Sequence, residues 1–493
     1  MIYTTVTLLY LAILIGIIVY KSRSVKTEDD FVVAGRSVPV YLLVGTLVCT
    51  WIGSGSLFGT AGLTFRTGFS ELWFSMGAWI GIVVIYFIAA RVRKISQYTL
   101  TDLLETRYNK TARLLGTITI IVAYIIIAGY QFKGGGRFIN ILSDGSIGPE
   151  TGMIIAAVVI ISFTALAGMV SIVSIDIFNG IVMILAMFMA LPFAIRSHGG
   201  WGEVVATIHD KNPEYLSMFE GHDAFWVLGI LLPTFLLLMS ESSIYQKFSS
   251  AKDATSARKA VLGMLIGVVV IEFLMCTIAI VGYAIYAEDA RFFLADGSIN
   301  ESMSEEIILR IGYEQMPALA GSLLFAAGVA IIISTGNTFL MVTSTNVARD
   351  LIQPYVLKNK DAKTNMLVQR VIIIVLGILA YLLVTQFTTI LEMAFISYTM
   401  IGASLAPVLL ASFFWKRVTP AGGVTSILAG MIVPVINKIM EVSEVTFSIF
   451  GISFPLHTDY IAIPSLVMSL LMLIVVSLLT PPSGEEKWKP FFS

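Results

Sequence analysis

The chain has 493 residues, of which 57% are hydrophobic and 13% charged, with a net charge of −1. Globular chains carry about 25% charged residues, and no soluble domain of this length could hide so much apolar surface, which excludes an ordinary water-soluble enzyme. Neither the near-zero charge nor any basic tail points to nucleic acid, and Cys49 and Cys276 lie inside apolar runs that offer no disulfide framework or thiolate metal site.

The first apolar run, Tyr3 to Tyr20, lacks a basic leader and a small-x-small cleavage site and reads as a retained helix. Apolar runs long enough to cross a bilayer, about 20 residues as a helix, then recur along the chain. They predict thirteen spans near 3–20, 39–60, 70–90, 114–141, 152–170, 175–196, 224–246, 260–287, 314–348, 370–386, 388–414, 421–437 and 459–480. With the N-terminus outside, 23 of the 31 Lys and Arg fall on the cytoplasmic side and six on the other. That split follows the positive-inside rule and places the C-terminus in the cytoplasm. No loop is long enough for a nucleotide-binding or signalling domain. Gly53 to Gly59 imitates a phosphate loop but lacks its Lys-Ser/Thr ending and lies within a span.

Polar chemistry inside the spans marks where function resides. The second span reads Cys49-Thr50-Trp51-Ile52-Gly53-Ser54-Gly55-Ser56-Leu57-Phe58-Gly59, a poor continuous helix. Small residues serve close helix packing; they equally serve an unwound segment whose freed carbonyls coordinate a cation. Lys133, deep in the fourth span, either snorkels outward, neutralises a solute carboxylate or pairs with Glu241. Asp176, at the predicted start of the sixth span, reads by itself as a helix cap. The seventh span is interrupted at Leu231-Leu232-Pro233-Thr234, where proline removes a helix hydrogen bond, and continues into Met239-Ser240-Glu241-Ser242-Ser243, whose Glu241 is costly if it faces lipid. Two broken helices separated by five spans suggest an inverted repeat of five helices each. In the ninth span Ser334, Asn337 and Thr338 share one face with Thr335 beside them. Hydroxyls there, with carbonyls freed at Cys49 and Ile52, suit a hard ion such as sodium.

Several motifs run in order through the chain: Phe31-Val32-Val33-Ala34-Gly35-Arg36, Thr101-Asp102-Leu103-Leu104-Glu105-Thr106-Arg107-Tyr108, Phe163-Thr164 to Gly168 followed by Asp176, Gln246-Lys247 with Ala251-Lys252-Asp253, and Phe414-Trp415-Lys416-Arg417-Val418-Thr419-Pro420-Ala421-Gly422. On these the chain resembles the sodium:solute symporter family, which holds proline, sialic acid and galactose symporters and choline and iodide transporters. The resemblance covers about residues 1 to 480. It implies an all-α integral membrane protein of the LeuT type, with a 5+5 inverted repeat. The expected parts are a leading helix and loop in 1–38, repeats in 39–196 and 224–414, and two extra helices with a tail in 415–493. It also implies import of a small organic solute driven by Na+, in a multi-pass monomer of the plasma (inner) membrane.

The family's main sodium site carries over to backbone oxygens of Cys49, Ile52 and Ile331 and the hydroxyls of Ser334 and Thr335. A second site, present in some members, would use Asp176, Ser334, Asn337 and Thr338, with Asn337 standing where serine is usual. The solute pocket maps to Trp51, Ser54, Ser56, Phe74, Ser75, Gln131, Lys133, Leu237, Glu241 and Tyr398. Proline carriers hold Asp where Trp51 stands, and the Thr50-Trp51 string looks nearer that of choline carriers. A proton-coupled carrier using Asp176 or Glu241, and a solute-binding membrane sensor, stand as alternatives.

Overall fold

A computed structural model describes residues 2–22, 34–95, 97, 99–166, 169–219, 221–352, 362–443, 447–449, 452–454 and 457–492. Phe31, Val32, Val33 and Gly168 of the motifs, and the charges Arg23, Lys26, Lys358 and Lys360, lie outside these residues. Among the described residues 12 helices are long and apolar enough to cross a membrane, joined by the shorter apolar helix Val40–Trp51. One of the 12, Gly55–Ile95, is 41 residues long and reverses at Gly68, whose φ of 58° favours a residue without a Cβ. Thirteen passes result, in the order the apolar runs predict. The remaining elements are short: Trp201–Lys211, Glu301–Ser304 and Ile307–Glu314 in connections, a hairpin of Phe447–Ile449 with Ile452–Phe454, and a final helix Glu485–Phe492.

Two passes are broken. Span 2 runs Val40–Trp51, opens at Ile52 with φ −77° and ψ 101°, and resumes as a π-helical segment Gly55–Thr60 leading into Ala61–Thr67. Span 7 runs Ala224–Ser240, opens at Glu241 with φ −69° and ψ 97°, and resumes as Ser242–Ser250. The two breaks thus share one device, a single extended residue between half-helices. Pro233, where the sequence reading puts the interruption, sits inside an unbroken helix. The break falls later, at Glu241.

Neighbour relations repeat with the same logic. Span 2 packs on span 6 (Met169–Ser197) and span 8 (Ala254–Ile285), while span 7 packs on span 11 (Ile390–Phe414) and span 3 (Leu72–Ile95). Span 4 (Lys110–Leu142) packs on span 5 (Pro149–Leu166) and span 11; span 9 (Ala318–Asn346) packs on span 10 (Ala362–Val384) and span 6. Spans 3 and 8, 4 and 9, and 5 and 10 pack on each other. Advancing every helix by five maps this set of contacts onto itself, as an approximate two-fold axis requires. Span 12 (Pro420–Val442) and span 13 (Ala462–Leu479) pair at the periphery. Their outer faces, like those of spans 1 and 10, expose large apolar side chains such as Ile439, Leu471, Leu9 and Ile378, the surface lipid would cover.

One end of the bundle is closed by backbone and charge. Val38 N–H donates to the Ser250 carbonyl at 3.1 Å and Lys252 N–H to the Val38 carbonyl at 3.0 Å. Arg93 Nε donates to the Ala251 carbonyl at 2.7 Å. Two sequence motifs meet here: the Arg107 guanidinium donates to the carbonyls of Trp415, Lys416 and Val418 at 3.3 Å each. Tyr108 also donates its hydroxyl to the Val408 carbonyl at 2.7 Å. Asp350 accepts from Thr101, Thr117 and Arg113, each at 2.6 Å.

The seam between spans 3 and 7 depends on Gly77, where a Cβ would clash with the Leu231 carbonyl and the Thr234 hydroxyl. Gly77→Val should therefore cost about 1–3 kcal/mol through overpacking. Thermal unfolding of the purified protein in detergent reads this as a lowered melting temperature; an unchanged melting temperature would contradict the seam.

Candidate functional site

The first break leaves carbonyls at the end of Val40–Trp51 without helical partners, and the structure supplies one from span 9. Thr335 Oγ1 lies 3.3 Å from the Cys49 carbonyl oxygen and 3.1 Å from that of Ile52. The approach needs Gly53, since a Cβ there would sit 2.8 Å from Thr335 Cγ2. Ile331 lies one turn before Thr335 on the same buried stretch of helix. Three oxygens from two helices, all hard and uncharged, converge where a small cation binds without a carboxylate. This donor set fits Na+.

Ser334 turns the other way and donates to Asp176 Oδ1 at 2.5 Å. Asp176 is no cap: the sixth helix begins at Met169, so the carboxylate lies two turns inside it. Its second oxygen accepts from Thr46 at 2.5 Å, its carbonyl from the Cys49 thiol at 3.0 Å. Lys247 Nζ stands 3.5 Å from that second carboxylate oxygen, and both side chains are fully buried. Lys247 also donates to the Thr46 carbonyl at 3.0 Å and to the Thr50 hydroxyl. Asn337 faces elsewhere, its amide oxygen accepting from Thr164 of span 5 at 2.9 Å. Thr338 is buried with no hydrogen-bond partner among the described residues.

Beyond the first break, Ser54 N–H donates to Gln131 Oε1 at 3.0 Å, leaving the Gln131 amide nitrogen and the Ser54 hydroxyl free. Tyr130 and Tyr398 share a hydroxyl–hydroxyl bond of 3.0 Å directly over Gly55. Phe74 lies 6.4 Å from the Tyr398 ring and 5.3 Å from that of Phe395. Phe395 in turn lines a cavity of about 350 Å³ that reaches the end of the bundle opposite the closed one. Arg66, Glu392, Lys438 and Glu441 also line it. Ser54, Phe74, Gln131 and Tyr398 are therefore assembled, with Ser56 and Leu237 buried on the same two broken helices.

Three expected pocket residues, Trp51, Ser75 and Lys133, are directed elsewhere, and Glu241 is engaged through one of its oxygens. Trp51 donates its indole N–H to Glu272 Oε1 at 2.8 Å, and Trp79 donates to the other oxygen at 2.6 Å. Ser75 donates to the buried Glu71 at 2.9 Å. Lys133 reaches outward to the Phe387 carbonyl at 2.5 Å, so it does not pair with Glu241. Glu241 accepts instead from Tyr124 and, at 2.7 Å, from the Ser243 hydroxyl, and its second oxygen has no partner.

Sequence reasoning did not single out Glu272, Glu71, Tyr124, Tyr130 or Lys247 as functional. Glu272 carried a signal, a lone carboxylate within an apolar span. Lys247 was hidden because it directly follows the predicted span and counts there as an ordinary loop charge. The tyrosines carried none, being common in membrane helices.

Two broken helices related by a five-helix repeat, with polar groups gathered at the breaks, are the architecture of an inverted-repeat membrane transporter. The family model for the sodium:solute symporter family matches residues 31–430, and the chain belongs to that family. A sodium/proline symporter of Staphylococcus aureus is 25% identical over 511 residues, covering 98% of this chain and 93% of its own. Among solved structures, a Na+-coupled sialic acid symporter in a substrate-bound outward-open state superposes with a TM-score of 0.80 at 15% identity, covering 98% of this chain and 99% of its own. The nucleobase-cation-symport-1 family transporter Mhp1 gives 0.58 at 12% identity, covering 94% of this chain and 97% of that one. MhsT in complex with L-phenylalanine gives 0.56 at 14%, covering 88% and 98%. The fold is the LeuT-type 5+5 inverted repeat, and the chain is a Na+-coupled secondary transporter.

Gly55 brings the tyrosine pair against the first break: a Cβ there would lie 2.6 Å from the Tyr398 hydroxyl and 3.3 Å from that of Tyr130. Gly55→Ala should displace both rings and raise the solute concentration for half-maximal uptake by roughly tenfold, in line with the cost of misplaced binding groups. Solute titration of uptake in proteoliposomes measures it. Wild-type affinity would show that this layer lies off the solute path.

Proposed function

We propose that this chain drives a small solute bearing a positively charged nitrogen into the cell with sodium held at the first break. The observation that carries the sodium site is Thr335 Oγ1 lying within 3.3 Å of two carbonyls released by that break. Cys49, Ile52 and Ile331 supply backbone oxygens, Thr335 its hydroxyl, and Ser334 a lone pair while its proton stays on Asp176. The ion bridges span 2 and span 9, so its binding favours whichever conformation holds those helices together. Solute then binds beside it, the repeats 39–196 and 224–414 rock against each other, and low internal sodium releases both.

The solute class rests on the balance of charge around the aromatic layer. Glu241 keeps an unpartnered oxygen, Phe74, Tyr130 and Tyr398 present rings, and Lys133 is drawn away to Phe387. Carboxylate and aromatic faces favour a positively charged nitrogen, and proline, which the names of the sodium/proline symporters among the relatives give, is a zwitterion that carries one. The charge distribution of the loops supports an N-terminus outside the cell and the closed, basic end in the cytoplasm. The charged cavity then faces outward and one chain is the transporting unit, in the plasma (inner) membrane.

Each oxygen bonded to a charged partner contributes about 1.5–3 kcal/mol. Ser334→Ala combined with Thr335→Ala should therefore raise the sodium needed for half-maximal uptake well beyond tenfold. Sodium titration of solute uptake reads this, and an unchanged sodium requirement would remove the assignment.

Thermal unfolding of the purified chain tests the solute class. Ligand at a hundred times its Kd adds about 2.7 kcal/mol, so proline, betaine or choline should raise the melting temperature by some degrees in sodium and not in potassium. Stabilisation by an uncharged sugar or by an anion such as sialic acid, with none from these three solutes bearing a positively charged nitrogen, would contradict it.

A further inference from the structure

The positions that the resemblance implies for a second sodium ion do not fit one. Asp176 is the only carboxylate among them, and a fully buried ammonium already stands 3.5 Å from it. Both carboxylate oxygens receive hydroxyl protons at 2.5 Å, from Ser334 and Thr46. Asn337 turns its oxygen away to Thr164. The Ser334 lone pair is taken by the proposed main site, and Thr338 Oγ1 has no hydrogen-bond partner among the described residues.

Lys247 is no surface residue that happens to reach inward. It occupies the half-helix after the second break, every residue of which is buried, and its amine is spent on Thr46, Thr50 and Asp176 of two other helices. The acidic side chains acting on it are Asp176 and Glu241. A sodium ion at Asp176 would be placed beside an ammonium in surroundings poor in water, where like charges repel strongly.

We propose that Lys247 is the resident cation of the Asp176 site, and that this chain therefore binds and carries one sodium ion per cycle. The inference rests on the main sodium site proposed above. Asp176 then acts as a positioning residue, orienting the Ser334 hydroxyl so that its lone pair faces the single ion.

Binding of radioactive sodium to the purified chain at saturation counts the ions directly, without transport. The wild type should bind one per chain and Lys247→Arg also one. Lys247→Met should bind two, and Lys247→Met with Asp176→Asn should return to one. Two ions on the wild type, or one on a monodisperse Lys247→Met protein, would overturn the proposal. Where Lys247→Met does not yield monodisperse protein, the sodium-to-solute flux ratio of the wild type in proteoliposomes decides: one supports the proposal and two overturns it. Thr335→Ala separates the two readings, because a single ion that survives this change would displace the main-site assignment while leaving the count intact.

Discussion

A carbonyl released from its helix in the middle of a bilayer has no water to turn to, and each such group left alone costs several kcal/mol. Nearly everything distinctive about this molecule follows from how two such releases are satisfied. At Ile52 the chain opens for one residue, and span 9 comes close enough for Thr335 to answer two carbonyls. That closeness is available only because Gly53 presents no side chain to Thr335. At Glu241 the release is answered locally, the side chain capping the following half-helix through the Ser243 N–H and hydroxyl. The first break is thus held by span 9, and the second by its own following half-helix together with Tyr124 of span 4. An ion that competes for the first set of oxygens necessarily acts on the contact between two repeats.

Charge inside the protein follows the same economy. Arg107 lies fully buried, yet its guanidinium meets three carbonyls at the turn after span 11, where helix-end oxygens need donors. Arg137 and Glu305 pair at the opposite end, and Glu305 also accepts the first N–H groups of span 11 from Ile390 and Leu391. Span 11 is therefore held at both ends by a charged side chain belonging to another element. This suits a helix that contacts span 7 along its length and carries Tyr398 at its centre.

Much of this was legible in the residues. Run length and charge placed thirteen passes in the right order, because lipid solvation is a strong, local and additive constraint on each segment. The Ser334–Thr338 face and the Gly53–Gly59 string were legible for a similar reason: small and hydroxylic residues are conspicuous against an apolar background. Partner choice was not legible. Nothing in the string Thr50-Trp51-Ile52 tells that the indole turns toward span 8, because Glu272 is 221 positions away. Asp176 looked like a cap since the apolar run before it is indistinct from a loop, whereas tertiary packing extends that helix back to Met169. Lys247 looked like a solvated charge because the predicted span stopped one residue short of it. Pro233 looked like a break, yet the helix continues through it and Thr234 uses its hydroxyl to bond Leu231 and Phe74.

The unbroken line of contacts from the first break, where we propose that sodium binds, to the closed end gives coupling a physical route. Thr335 touches the first break; its neighbour Ser334 holds Asp176; Asp176 faces Lys247; Lys247 is rooted in the half-helix that ends at Ser250. Ser250 receives the Val38 N–H that closes the basic end. The links cross from span 9 to span 6, from span 6 to span 7, and from the end of span 7 to the residue ahead of span 2. A change at the ion site must either leave the chain of contacts whole or move span 7 relative to span 2 as rigid segments. Rigid half-helices on either side of single extended residues are the elements suited to that motion, since the change in direction is absorbed at Ile52 and Glu241 while the hydrogen bonds of each half survive.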